Sequence, residues 1–235
     1  IVLDVDPTNT VPESSAADNS YPANGTPLSL NIQTVATLDL RFVPILRTAD
    51  NTTGNVTAAN AAQFAEQTVR MHPLGAVNVE VRAPYTYSDT AQIQSGDGNG
   101  VWIRILSQMN ALQAAEGGTR QYYGVIAVPY GGGIAGYGYV PGRAAVGWDK
   151  LPSASGVAAH ELGHNLNLWH GGFRGNPNCS PAYLSVMNYL FQARLLVDDG
   201  GAPRVDFSSE PLGPLDENFL FEAPLGKLAP YRTGW

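Results

Sequence analysis

The histidines of this chain are gathered in one short stretch, AHELGHNLNLWHGG, and their spacing constrains the fold more than any other feature. Three of the four histidines stand at positions 160, 164 and 170. Residues four apart on a helix share one face, so a helix here presents His160 and His164 together. Six further helical residues would carry His170 about 240 degrees around the axis. The helix therefore has to end before His170 if the three imidazoles are to meet.

The turn that this requires is predicted at Asn167. Asparagine is one of the few residues other than glycine that adopt the left-handed conformation with which helices often end. His170 then returns toward His160 and His164. Zinc binds two histidines at this HExxH spacing, and Glu161, about 100 degrees around the helix from His160, is placed to act as a general base.

The stretch HELGHNLNLWH resembles HExxHxxGxxH, the signature of the metzincin zinc endopeptidases, with Asn167 in place of the family glycine. The clan carries a methionine turn beneath the metal, which Met187 in SVMNY matches. Two of its branches have a tyrosine at the position of Tyr189, where it ligates zinc or steadies the oxyanion. The resemblance therefore implies one catalytic zinc, a catalytic role for Tyr189 beside Glu161, and three metal ligands: His160, His164 and His170.

Hydrophobic periodicity predicts alternating strands and helices before the motif. Period-two alternation or buried apolar runs predict strands over 37–42, 76–82 and 122–129, with Val77, Val79 and Val81 facing inward. Helical periodicity predicts helices over 58–71, 101–116 and 151–164, the last with Ser153 and Ser155 as candidate N-caps. The glycine-rich stretch 130–149 contains Pro141 and is predicted as an edge strand or loop.

This order of elements predicts an α/β (α+β) fold, and the resemblance implies the metzincin-like two-subdomain zincin fold: a twisted mixed sheet with an antiparallel edge strand, an active-site helix and an irregular C-terminal subdomain. A single catalytic domain over 1–235 is expected. It consists of an extended N-terminal arm over 1–30, an N-terminal subdomain over 31–167 that ends in the zinc helix, and a C-terminal subdomain over 168–235 with the methionine turn. In that fold extended peptide substrate pairs with the edge strand, a role that the resemblance gives to 133–149.

Composition excludes some partners. With 13 basic and 20 acidic residues and a net charge of -7, the chain lacks the electrostatic footprint of a nucleic-acid binder. No stretch approaches the roughly 18 to 20 apolar residues that span a bilayer, so no membrane span is predicted. A charged fraction of 14%, with 26 Gly and 17 Pro, is typical of exported proteins. We expect a secreted monomer, a processed mature or trimmed catalytic domain.

Some residues lie outside the zinc motif or depart from the clan. Cys179, the only cysteine, forbids an internal disulfide and is expected to be a buried thiol. The disulfides of astacins and the glycine-aspartate repeats that follow serralysin domains are missing, so no family within the clan is assigned. A second metal, Ca²⁺, has candidate ligands without EF-hand spacing, which favours a solvated face: Asp198, Asp199, Asp206, Asp216, Glu217 and Glu222.

The sequence thus predicts a zinc-dependent endopeptidase that hydrolyses peptide bonds with metal-activated water and Glu161 as general base. Two alternatives stay open. A catalytically inactive binding or adhesin module would keep the histidines to stabilise its fold, although the intact Glu161 argues against it. A thermolysin-like peptidase would take a distant glutamate as third ligand and leave His170 free.

Overall fold

A computed structural model of the chain describes residues 1–180, 183–192, 196–198, 200–208 and 231–233. The chain divides into two compact units, Ile1–Val35 and Ala36–Trp235.

The first unit is built around a short strand pair. Strand β1 (Leu3–Asp4) pairs antiparallel with β2 (Ser20–Tyr21), and a 3-10 helix spans Ala16–Asp18 between them. The amino group of Ile1 donates a hydrogen bond of 2.6 Å to the carbonyl of Leu28. The chain therefore turns back on itself within the segment for which the sequence predicts an extended arm.

The second unit alternates strands and helices, as the sequence predicts. Its first strands are β3 (Thr37–Arg47), β4 (Thr52–Thr53), β5 (Ala76–Val81), β6 (Tyr85–Tyr87), β7 (Gln121–Ile126), β8 (Gly136–Gly138) and β9 (Ala144–Trp148). Its helices are α1 (Ala61–Met71), α2 (Val101–Glu116) and α3 (Ser153–Asn165). Further along, β10 (Leu196–Asp198) pairs antiparallel with β11 (Pro203–Arg204) and β12 (Tyr231–Thr233). The coarse class is confirmed: helices combine with a mixed sheet.

Strand β3 lies at the centre of the main sheet. It pairs in parallel with β5 and β6 on one side and with β7 on the other, and β7 pairs in parallel with β9. Strand β8 closes the sheet antiparallel to β9 and is the end strand of the order β4-β3-β7-β9-β8. The sheet is therefore mixed, and the interior strand β9 lies between its antiparallel edge strand and the helix with the histidines in the chain.

Strand β3 is longer than the predicted segment 37–42 and contains Pro44. A proline inside a strand removes a ladder donor. Pro44 falls opposite a break in the neighbouring strands, because β5 pairs with β3 as far as Phe42 and β6 begins to pair at Ile45. The missing N–H faces this break, so the strand continues to Arg47.

The helices cover both faces of the main sheet. Helix α2 packs on one face, with Trp102, Ile105 and Met109 against Ile45 and Val146. Helices α1 and α3 pack on the other face, in a second core of apolar and aromatic side chains: Leu40, Phe42, Phe64, Ala65, Tyr123, Val125, Ala145, Ala154, Ala158 and Leu162. Alternate residues of β7 point to opposite faces, so Tyr122 joins the first core and Tyr123 the second.

Three local predictions are wrong. Val79 is 37% exposed rather than inward, because β5 lies at an outer position of the sheet. The stretch 130–149 contains β9, a buried strand between β7 and β8, as well as the edge strand; Pro141 lies in the loop between β8 and β9.

Within the described residues, the structure has no helix with the length and apolar content needed to cross a membrane.

The third wrong prediction is the N-cap of α3. Pro152 occupies the N-cap position of α3, and no side chain caps it. The Ser155 hydroxyl instead accepts a hydrogen bond of 3.1 Å from the backbone N–H of Gln67 in α1. This bond ties α3 to α1, so the serine serves helix packing rather than helix initiation.

Candidate metal centre

Helix α3 places two histidines in the interior of the protein. His160 and His164 lie one turn apart and are only 1% and 6% exposed. The first half of the helix is built from small residues, and Ala154, Ala158 and Ala159 are fully buried. Small side chains let the helix approach the sheet and α1 closely, so the histidines that follow are held in a packed environment.

The helix ends in a left-handed turn at Asn167. Its φ is 70°, as the sequence predicts. The N–H of Asn167 donates to the carbonyl of His164 at 2.9 Å, and the N–H of Leu168 donates to the carbonyl of Gly163 at 3.0 Å. These two bonds form the Schellman pattern that satisfies the last carbonyls of a helix. The reversal directs the following residues back along the side of α3.

His170 returns to the other two histidines after this turn. Its Nε2 lies 2.9 Å from Nε2 of His164, and its ring stacks on that of His160 with centroids 5.1 Å apart. One ligand nitrogen from each of the three histidines lies within 4.8 Å of the others. The three histidines are thus close enough to hold one metal ion.

Backbone carbonyls fix the orientation of two of these rings. The Nδ1–H of His160 donates to the carbonyl of Val186 at 2.8 Å, and the Nδ1–H of His164 donates to the carbonyl of Leu168 at 2.8 Å. Each bond assigns the proton to Nδ1 and leaves Nε2 as the lone-pair nitrogen. Such bonds orient metal-ligating histidines and raise their basicity. The helix-ending turn therefore also supplies the partner of His164.

Burial keeps the histidines neutral. Desolvation, together with the neighbouring His164, lowers the pKa of His160 to about 3 and that of His170 to about 4. Burial also lowers the pKa of His164. Neutral imidazole is the form that binds a metal. Two nitrogens that share one Zn²⁺ in tetrahedral geometry lie about 3.3 Å apart. The Nε2 atoms of His164 and His170 lie 2.9 Å apart, and all three ligand nitrogens lie within 4.8 Å of one another. The donor set fits a zinc ion.

Glu161 lies beside the histidines but outside the ligand group. Glu161 is 3% exposed, and this burial raises the pKa of its carboxyl well above the usual value. The carboxylate packs against β8: a methyl group built on Gly136 would lie 2.7 Å from Oε1 of Glu161. Glu161 is therefore a buried acid whose side chain lies between its own helix α3 and the edge strand β8.

Met187 lies in a buried turn beneath α3. It is fully buried and packs with Ala159 and Val186. Its Sδ contacts Gly163, at a position where any side chain would overlap it. The turn is closed by a hydrogen bond of 2.9 Å from the N–H of Asn188 to the carbonyl of Ser185. The same turn presents the Val186 carbonyl that orients His160.

Tyr189 extends from this turn toward the histidines. Its ring centroid lies 4.5 Å from that of His170 and 5.4 Å from that of His160, while the residue is 54% exposed. Partial burial raises its pKa, and the nearby Glu161 raises it further. The structure thus brings together every site residue that the sequence predicts.

Two buried asparagines support the site and were not anticipated from the sequence. The amide of Asn188 donates to the carbonyls of Ser180 and Tyr183 and holds the Met187 turn. The amide of Asn165 donates to the carbonyls of Tyr139 and Ala144, at 3.0 Å each, and fixes the β8–β9 loop to the end of α3. Their only sequence signal is position: each asparagine directly follows a predicted site residue.

The cysteine prediction is wrong. Cys179 is exposed and has a φ of 60°, because it lies in a loop where its N–H is bonded by the side chain of Asn178. Of the acidic residues considered for Ca²⁺, Asp198 and Asp206 accept bonds from nearby backbone N–H groups. The others lie outside the described residues: Asp199, Asp216, Glu217 and Glu222.

The edge strand β8 has backbone groups that point away from the sheet. The N–H of Trp148 donates to the carbonyl of Ala135, and the N–H of Tyr139 donates to the carbonyl of Ala144. Gly136 and Gly138 alternate with these bonded residues along β8, so they are the non-bonded positions of the β8–β9 ladder. In an antiparallel pair the intervening residues point their N–H and C=O groups away from the partner strand. Among the described strands none pairs with this edge.

The chain matches no known protein-family model and no curated protein.

Proposed function

We propose that the protein is a zinc-dependent endopeptidase of the metzincin type, with His160, His164 and His170 as metal ligands. The observation that carries the proposal is the convergence of three neutral imidazoles on one point beside a buried carboxylate. A zinc ion held there would supply Lewis acidity, lowering the pKa of a water molecule and polarising a carbonyl.

Glu161 is the general base in this proposal. It accepts a proton from the water that attacks the peptide carbonyl carbon, and it passes that proton to the amine nitrogen when the C–N bond breaks. Burial raises the pKa of its carboxyl, which makes its carboxylate a stronger base than an exposed one. Tyr189 lies beside the histidines and is proposed to donate a hydrogen bond to the oxyanion.

The proposed substrate is an extended peptide segment of a protein. The outward N–H and C=O groups of Gly136 and Gly138 offer main-chain hydrogen bonds to an added antiparallel strand. An extended peptide bound along β8 would pass beside Glu161, because β8 packs directly on that side chain. The buried turn at Met187 is proposed as the methionine turn that supports the site from below.

Three variants test this function and separate it from its alternatives. Glu161→Gln should retain zinc and fold but lose nearly all hydrolysis of unstructured protein substrates, because only the base is removed. His170→Ala should lose tightly bound zinc. Tyr189→Phe should keep zinc and lower kcat. The measurements are zinc content by elemental analysis and the rate of cleavage of a denatured protein. Removal of the metal with o-phenanthroline should abolish cleavage.

Each alternative gives a different pattern. Zinc-loaded protein without peptidase activity would support an inactive binding module. Full zinc content in His170→Ala would support a thermolysin-like ligand set, which the position of His170 beside the other two histidines disfavours. Secretion, calcium binding and a monomeric state stay predictions.

A further inference from the structure

Two glycines of β8, Gly136 and Gly138, face helix α3 beside Glu161. A methyl group on Gly136 would lie 2.7 Å from Oε1, 2.8 Å from Cγ of Glu161 and 2.8 Å from the carbonyl oxygen of Val146. One on Gly138 would lie 2.6 Å from the carbonyl oxygen of Glu161 and 3.2 Å from Cβ of His164. Real Cβ atoms essentially never lie within 3.0 Å of such atoms, and each of the two positions has at least one contact that short. The two glycines therefore occupy positions where β8 touches α3 directly.

Space, rather than backbone conformation, requires glycine at these positions. Neither residue has a positive φ, unlike Gly133 just before the strand. Tyr137 between them points to the opposite face, where its ring packs against Trp102. The side of β8 that faces α3 is thus bare, and the Glu161 carboxylate fills the room that a side chain would take.

Strand β8 is fixed in place on α3. The Asn165 amide holds the carbonyls at both ends of the β8–β9 loop, and the N–H of Gly142 in this loop donates to the carbonyl of Asn165 at 3.2 Å. The ladder to β9 fixes the other side of the strand. An added methyl group at position 136 would press on the Glu161 side chain and on the Val146 carbonyl of β9. Of these two, only the side chain can turn about its own bonds, so Glu161 would be displaced.

We propose that Gly136 is a positioning residue for Glu161, and that its missing side chain seats the carboxylate for proton transfer. The position of the Glu161 carboxylate against Gly136, which we call its seat, is inferred from contacts alone. The effect of this seat on catalysis rests on the proposed function. Displacement of a reacting group by about 1 Å is enough to lower a rate about 100-fold. The contact of Gly138 is with helix backbone, so Gly138 sets the strand-to-helix distance instead.

The test compares alanine substitutions at four glycines. Gly136→Ala should lower kcat about 10- to 100-fold, with KM within about twofold and zinc content unchanged. Gly138→Ala should lower thermal stability and zinc content together, because the helix backbone cannot yield. Gly131→Ala and Gly132→Ala are the controls, since nothing lies within 4 Å of a methyl group at either position. Both should match the unsubstituted protein.

A double-mutant cycle tests the seat without relying on activity. Gly136→Ala should lower the denaturant midpoint of unfolding less in a Glu161→Ala background, because the carboxylate that it overlaps is gone. Additive midpoints together with an unchanged kcat in Gly136→Ala overturn the inference. If the unsubstituted zinc-loaded protein cleaves no peptide but the midpoints couple, the proposed function fails and the seat of Glu161 stands.

Discussion

At the scale of single residues, Asn167 decides whether three histidines can share one ion. A helix that continued through it would carry His170 to the far side of the axis. Its φ of 70° ends the helix and places the Leu168 carbonyl on Nδ1 of His164. One backbone conformation therefore delivers the third ligand and orients the second.

Substitution of Asn167 tests this role. Asn167→Gly should keep zinc affinity and thermal stability, because glycine adopts positive φ without steric cost. Asn167→Val should lower zinc affinity and thermal stability together, since a β-branched residue in this conformation is strained by about 1 to 3 kcal/mol. Zinc titration and thermal unfolding measure the two effects. A valine variant that binds zinc as tightly as the unsubstituted protein would show that the turn is not needed for the third ligand.

At the scale of elements, α3 is shaped by what packs beneath it. Gly163 lies one position before His164, and its missing side chain makes room for Sδ of Met187. A glycine in a helix interior costs about 1 kcal/mol relative to alanine. The helix accepts this cost because the Met187 turn, with the Val186 carbonyl that holds His160, must approach the helix closely.

Gly163→Ala should therefore destabilise the protein by about 1 to 3 kcal/mol, opposite to the sign that helix propensity predicts. The added methyl group pushes on Met187, so Met187→Ala in the same chain should recover part of the loss. Denaturant unfolding of the two single variants and the double variant measures this coupling. A stabilised Gly163→Ala variant would mean that the turn yields at no cost.

At the scale of the whole molecule, the buried histidines link stability to pH. Burial lowers the pKa of His160 to about 3 and that of His170 to about 4, and it also lowers that of His164. The unfolded chain binds protons at these residues below about pH 6.5, whereas the folded chain does not. The unfolding free energy of the metal-free protein should therefore fall as pH drops from about 6.5 toward 3.

Glu161 acts in the opposite direction. Its pKa is raised by burial, so its contribution to stability is present below about pH 4.5 and is lost as pH rises toward its folded pKa. Metal-free Glu161→Gln should thus gain stability relative to the unsubstituted protein as pH rises above 4.5, and His170→Ala should show a shallower loss below pH 6.5. Chemical unfolding between pH 4 and 8 measures both. Parallel pH profiles for all three proteins would contradict this assignment.

The sequence by itself determined the parts of this protein that depend on local periodicity and local backbone preference. The spacing of His160 and His164 and the left-handed preference of Asn167 predict a helix and its end, and the structure has both. Helix α2 also lies over the predicted residues, because apolar periodicity and the following glycines fix its bounds. Such features follow from neighbours along the chain.

Tertiary structure alone decided which backbone groups approach one another. No local pattern shows that Pro44 falls opposite a break between strands, that β9 is an interior strand, or that Val79 stays exposed. The same holds for the bare side of β8 against Glu161 and for the fit of Gly163 on Met187. These contacts join residues far apart in sequence, and their distances are set by the packing of whole elements.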